Sequence, residues 1–208
     1  MKSEAWDARY AEAGLVWGPA PNRFVAAETE DLAPGRALDL ACGEGRNAIW
    51  LAERGWRVTA IDFSSVAVNR ARCLAAERGV TVDFAVGDVL EAPLEQAAYD
   101  LVLLAYLQLP LDERASVLMR AAAAVRPGGL FLLVGHDLRN YAEGHGGPRR
   151  PDLLWTVAEI GGALSVAGLT VERADEVLRD VEGAPRPAID TLVRARRQPE
   201  SAVARSAG

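Results

Sequence analysis

The sequence predicts an α/β fold, a three-layer sandwich around a seven-stranded, mostly parallel sheet whose last strand is antiparallel. Three observations predict it. Short apolar runs alternate with segments of helical period, glycine and proline separate them, and the final two strand signals have no helix between them. Repeated strand–helix–strand units call for right-handed crossovers, which place helices on both faces of a parallel sheet. At 208 residues, half of them hydrophobic, the chain suits one domain with a sizeable core.

The elements follow in order. "EAWDARYAEA" has Ala5, Trp6, Tyr10 and Ala13 near helical spacing and ends at Gly14, so it reads as a lid-like helix. A Pro/Gly turn follows, and a second helix starts at Asn22, a good N-cap, and runs until "APGR". "ALDLA" is a buried strand, "RNAIWLAERG" a helix closed by Gly55, and "WRVTAID" the second strand. Ser64 or Ser65 caps "SSVAVNRARCLAAERG", which stops at Gly79, and "VTVDFAVGD" is the third strand. "YDLVLLAYL" is an unbroken apolar run, as expected of a parallel strand covered on both faces. "ERASVLMRAAAAV" is a helix ended by "RPGG", and "LFLLVGHD" the fifth strand. "LRNYAEGHGGPRRP" reads as a loop and "DLLWTVAEIGGALSVAG" as the last helix. "LTVERADEVLRDV" and "AIDTLVRARR", joined by "EGAPRP", form an antiparallel hairpin at one side of the sheet. The domain spans residues 1–197, with 1–34 a helical lid and 35–197 the core, and residues 198–208 read as a disordered tail.

A net charge of −6 argues against non-specific binding to nucleic acid or to an anionic membrane, both of which demand a dense basic surface. No run approaches the length of a membrane span, and the charged N-terminus has no apolar segment of the secretory kind. Cys42 and Cys73 are too few for a disulfide framework and lack metal-site spacing; they read as reduced thiols, which favours the cytoplasm, and no metal site is expected.

The turn Asp39-Leu40-Ala41-Cys42-Gly43-Glu44-Gly45 joins the first strand to its helix, at the carboxyl end of the sheet where ligands bind. Its carboxylates, Asp39 and Glu44, would repel a pyrophosphate and suit a ligand bearing an amino group or sulfonium. Asp39 could instead cap local backbone or pair with an arginine. Asp62 ends the second strand 17 positions past Gly45, near the spacing at which an acid meets ribose hydroxyls. Asp88 follows the third strand, suited to the amine of adenine, with Val89 offering a backbone N–H.

"LDLACGEGRNAIWLAERGWRVTAID", "VGDV", "YDLVLLAYL" and "RPGGLFLL" resemble, in order and spacing, the motifs of class I S-adenosylmethionine-dependent methyltransferases, from about Trp6 to Arg197. "GEGRNAIWLA" is similar to the tellurite-resistance and thiopurine methyltransferase-like group, which acts on small molecules. The resemblance implies a Rossmann-like fold, S-adenosylmethionine as cofactor and S-adenosylhomocysteine as product. It implies that Asp39 to Gly45 surround the methionine part, that Asp62, with Phe63 and Ser64 after it, meets the ribose, and that Asp88 and Val89 meet adenine. Ala41 stands where the first glycine is usual, and Ala105 matches a position whose backbone faces the methionine part.

Trp17 is a candidate to cover the cofactor and Arg23 to pair with its carboxylate, although a solvated helix-start arginine reads equally well. Trp6 and Tyr10 read as packing residues and Cys42 as a small buried one. Tyr106, Gln108, His136 and His145 are substrate-side candidates; His136 or Asp137 would be the base if the reaction uses one. The expected reaction is methyl transfer to sulfur, selenium, tellurium, nitrogen or oxygen of a small molecule, by a monomer or homodimer. A nicotinamide-dependent oxidoreductase and a non-catalytic adenosyl-binding module are the alternatives.

Overall fold

The computed structural model describes residues 3–12 and 14–199, so the predicted tail lies outside the described residues apart from Gln198 and Pro199. Seven strands form one sheet in the order β3-β2-β1-β4-β5-β7-β6. They are β1 (Arg36–Leu40), β2 (Arg57–Asp62), β3 (Asp83–Val86), β4 (Tyr99–Ala105), β5 (Val125–His136), β6 (Leu169–Arg179) and β7 (Ala188–Arg197). The first five pair in parallel, whereas β7 runs antiparallel to both β5 and β6. The predicted fold class is the observed one.

Alternation along the central strands divides the core. Leu38, Leu40, Val102, Leu104, Phe131 and Leu133 point to one face, under α5 (Leu111–Ala124) and α7 (Val157–Val166). Ala37, Leu101, Leu103, Leu130 and Leu132 point to the other, under α2 (Arg23–Thr29), α3 (Arg46–Glu53) and α4 (Ser65–Glu77). Each such buried leucine contributes about 2 kcal/mol of transfer free energy. Among the described residues no helix is long and apolar enough to cross a membrane.

Both predicted serine/asparagine caps form: Asn22 accepts from the N–H groups of Phe24 and Val25, and Ser64 from that of Ala67. Helix α2 ends earlier than predicted, at Thr29, whose hydroxyl turns back to the Val25 carbonyl at 2.7 Å. Strand β5 begins earlier, because "RPGG" joins the sheet through a register shift opposite Tyr99 and Leu101. The predicted loop after β5 contains α6 (Asn140–Glu143), and the predicted start of the last helix is instead a 3₁₀ turn at Pro151–Leu153, with α7 beginning at Val157 behind its cap Thr156. Asn140 orders the loop: the side chain accepts from Ile189 N at 2.7 Å and donates to the Gly146 carbonyl at 2.9 Å, tying it to β7. The N-terminal helix α1 (Ser3–Ala11) lies against α4, where Asp7 accepts from the Ser64 hydroxyl at 2.5 Å.

Candidate functional site

A cavity opens at the carboxyl ends of β1, β2 and β4. Its floor is the turn after β1, where Ala41, Gly43 and Gly45 all have positive φ, at 59°, 55° and 79°. Two of these positions are also tight: a Cβ on Gly43 would lie 2.8 Å from the Tyr10 hydroxyl, and one on Gly45 would lie 3.0 Å from Ala71 Cβ and Phe84 Cζ, so those neighbours would have to shift. The turn is held from β2, since the Asp62 carboxylate accepts from Gly43 N at 2.8 Å and from Ser64 N at 2.9 Å.

The walls bring together many of the predicted residues. Ala41, Gly43, Glu44, Asp62 and Phe63 line one side, Asp88, Val89 and Ala105 another, and Trp17 the approach. Tyr106 and Gln108 line the far end with Leu107, Leu109 and Glu113. The Leu107 carbonyl accepts from the indole N–H of buried Trp155 at 3.0 Å, which fixes this wall from behind.

Charge is distributed unevenly. Asp39, just behind the turn, is buried and does not itself line the cavity; no donor meets its carboxylate in full hydrogen-bond geometry. Burial, reinforced by the nearby Asp62 charge, pushes it up to about 7 against the opposing pull of Arg46 and the Ala48 N–H. Burial also raises Asp62, against the pull of its two backbone N–H bonds. Arg46, the first residue of α3, lines the cavity, and burial lowers its guanidinium. It donates to the Trp17 carbonyl at 3.4 Å, which occupies little of its five-donor fork. The cavity thus has one guanidinium with few acceptors in its wall and one buried carboxylate behind its floor.

Several expectations are corrected. Glu44 lines the cavity, but its carboxylate is taken: it accepts from Arg70 Nη1 at 2.9 Å and from Val16 N at 2.8 Å. It ties down the N-terminal segment, and its charge is already paired with Arg70. Ser64 is spent on its cap and on Asp7 and does not line the cavity. Arg23 points away, to the Leu178 carbonyl and Asp180, because it starts α2 on the side facing β6; Arg46 is the cation in the cavity instead. His136 is buried behind Tyr106, its Nδ1 3.1 Å from Asp190 Oδ1. The Asp137 carboxylate accepts from Arg139 N at 2.8 Å and from the Thr191 hydroxyl at 2.5 Å, which leaves it no route to a ligand. His145 is exposed in the loop after α6 and lies outside the cavity wall.

Sequence reasoning passed over Trp6 and Tyr10, read as packing but part of the lining, and also Arg46, Asn47 and Glu113. For Arg46 a signal existed, because the residue after a glycine turn begins a helix whose first side chains overlook the ligand.

Residues 37–129 match a family described as a methyltransferase domain. A ubiquinone biosynthesis O-methyltransferase of Methylobacterium nodulans is 33% identical over 169 residues, 74% of this chain and 66% of that protein. The chain spans about half to two thirds of the length of the curated relatives it matches. A structure from work on the conversion of a disulfide bond into a thioacetal group during echinomycin biosynthesis superposes with TM-score 0.78 and 27% identity, over 96% of this chain and 94% of that one. An S-adenosylmethionine-dependent methyltransferase from Mesorhizobium loti superposes with TM-score 0.69 and 23% identity, over 84% and 96% of the two chains.

Proposed function

We propose that the chain is a class I S-adenosylmethionine-dependent methyltransferase and that it methylates a small molecule whose nucleophile needs no base from the protein, a thiol or an acidic hydroxyl. The observation that carries this reading is the acceptor side of the cavity, where every predicted base is withdrawn. His136 lies behind Tyr106, and Asp137 is buried on Arg139 N and the Thr191 hydroxyl; neither lines the cavity, and the substrate-side candidate His145 is outside its wall. Glu113 is a carboxylate that lines that end, and a carboxylate is a weaker general base for a poorly acidic hydroxyl than an imidazole is.

The cofactor, when bound, supplies a methyl group on a positively charged sulfur, open to in-line displacement. Around it, Asp39 would face the ammonium, Arg46 the carboxylate, Asp62 the ribose hydroxyls, and Asp88 with Val89 the adenine. The buried Asp39 also speaks against a pyrophosphate cofactor. The protein's own contribution is alignment and the exclusion of water, with Leu107, Leu109 and Tyr106 forming an apolar wall for the acceptor. Residues 1–34 would act as the cover: Tyr10, Trp6 and Trp17 reach the cavity, and Glu44 and Arg70 hold the segment down. The free thiols of Cys42 and Cys73 agree with a reducing, cytoplasmic setting. Sulfur chemistry in the echinomycin relative and oxygen chemistry in the ubiquinone relatives both fit such an acceptor.

The test is release of S-adenosylhomocysteine with a panel of thiols, acidic phenols, alcohols and amines. We expect turnover with the first two classes and a pH–rate profile that follows the acceptor's own ionisation. Cofactor binding without turnover on any member would favour a non-catalytic module. Turnover of neutral alcohols would overturn the base-free reading.

A further inference from the structure

We propose that Asp190 and Arg179, on the two strands of the terminal hairpin, are positioning residues for the methyl acceptor and act through the ring of Tyr106. The proposal rests on the methyl-transfer reading above.

Tyr106 follows β4 with φ at 58°, a left-handed conformation unfavourable for a bulky residue. Its hydroxyl donates to Asp190 Oδ2 at 2.6 Å and accepts from Arg179 Nε at 3.0 Å and from Asn22 Nδ2 at 3.3 Å. The single Arg179 Nε–H is shared between this hydroxyl and Asp190, so the hydroxyl's one proton is committed to Asp190 and its acceptor side is met by Arg179 and Asn22. Asp190 is fully buried, and its Oδ2 also accepts from Arg179 Nε at 2.7 Å. The other oxygen lies 3.1 Å from His136 Nδ1, and the imidazole packs against the Tyr106 ring with centroids 4.8 Å apart. Four side chains from four separate segments thus converge on one aromatic ring. That ring is part of the cavity wall, next to Ala105 and Gln108.

A polar cluster so complete does no proton chemistry of its own. What it fixes is the plane of the ring on which the acceptor would lie. In-line displacement is sensitive to such a wall, since small misplacements of the nucleophile cost large factors in rate. Asn22 adds a link to the N-terminal segment, for its own N–H donates to Asn47 on α3 at 2.9 Å.

The experiment compares Tyr106→Phe, Arg179→Met and Arg179→Lys using an acceptor found in the panel. Tyr106→Phe keeps the ring and loses the clamp; Arg179→Met removes the charge from a side chain that is partly exposed and so tolerant of change. For both we expect kcat to fall about tenfold or more, with the Kd for S-adenosylmethionine within twofold of wild type and partial recovery in Arg179→Lys. A kcat within twofold of wild type, or a Kd that worsens in step with kcat, would overturn the proposal. If no acceptor is turned over by the wild type, the methyl-transfer reading fails instead. The clamp is then judged by the ring-flip rate of Tyr106 in NMR spectra, which Arg179→Met should accelerate. An unchanged flip rate overturns it.

Discussion

Two buried carboxylates, Asp39 behind the glycine turn and Asp190 on β7, sit in opposite electrostatic situations. Asp39 has no donor in full hydrogen-bond geometry and is pushed up to about 7 by burial, then by Asp62, with Arg46 and the Ala48 N–H opposing too weakly to prevent it. At Asp190 burial also pushes upward, but hydrogen bonds from His136, Arg179 and Tyr106 outweigh it and hold the group below the usual carboxylate range. On the proposed reading, the cofactor end of the cavity is left electrostatically incomplete and the acceptor end is finished. An incomplete end is completed by a cationic ligand; a finished one keeps a shape.

The largest test of this contrast is Asp190→Ala. Removing the acid strands Arg179, His136 and the Tyr106 hydroxyl, and breaking a buried ionic cluster costs on the order of 3 kcal/mol. Urea denaturation should find that loss, and unaltered stability would mean that the cluster contributes nothing to the folded state.

The second test is the pH dependence of cofactor binding. In the free protein Asp39 keeps its proton below about 7 and charges above it. A cation prefers the charged form, so affinity for S-adenosylmethionine should be greatest above that pH and weaken as pH falls, by up to about tenfold per unit. Calorimetry at pH 6 and pH 8 reads this directly. Asp39→Asn should bind weakly and lose most of the pH response; a wild-type affinity independent of pH would show that Asp39 does not meet the cation. The same raised value implies that, without ligand, the Asp39 contribution to stability is greatest at low pH and declines as pH rises from its unfolded value, near 4, through about 7.

The smallest test concerns backbone strain at the cofactor end. Ala41 adopts φ of 59°, where alanine costs about 1 kcal/mol relative to glycine. Ala41→Gly should therefore stabilise the protein by up to about 1 kcal/mol, measured by thermal unfolding. A loss of stability would mean that the methyl group's packing against its neighbours outweighs the strain.

The contrast also separates what could be read from the sequence from what could not. The glycine turn, Asp62 and Asp88 lie on one short stretch, each at a strand end, so spacing along the chain and position in space carry nearly the same information. Asn22, Tyr106, His136, Arg179 and Asp190 come together only through the order β4-β5-β7-β6, and nothing in their spacing announces it. His136 illustrates the limit: the strand end was legible, but whether its side chain faces the cavity or the space behind Tyr106 depends on which neighbour fills that space. Glu44 illustrates another, since its partners Arg70 and Val16 come from α4 and from a segment of irregular backbone.

Strand β7 is the last strand among the described residues, yet it fills the gap between β5 and β6. During synthesis, therefore, every strand that builds the cofactor turn has emerged before the residue that finishes the acceptor wall exists. A chain halted before Asp190 could still shape the turn after β1, but with β6 unattached and Tyr106 unclamped. Maturation of the two ends of the cavity is in this sense staggered, and the stagger is written into the strand order.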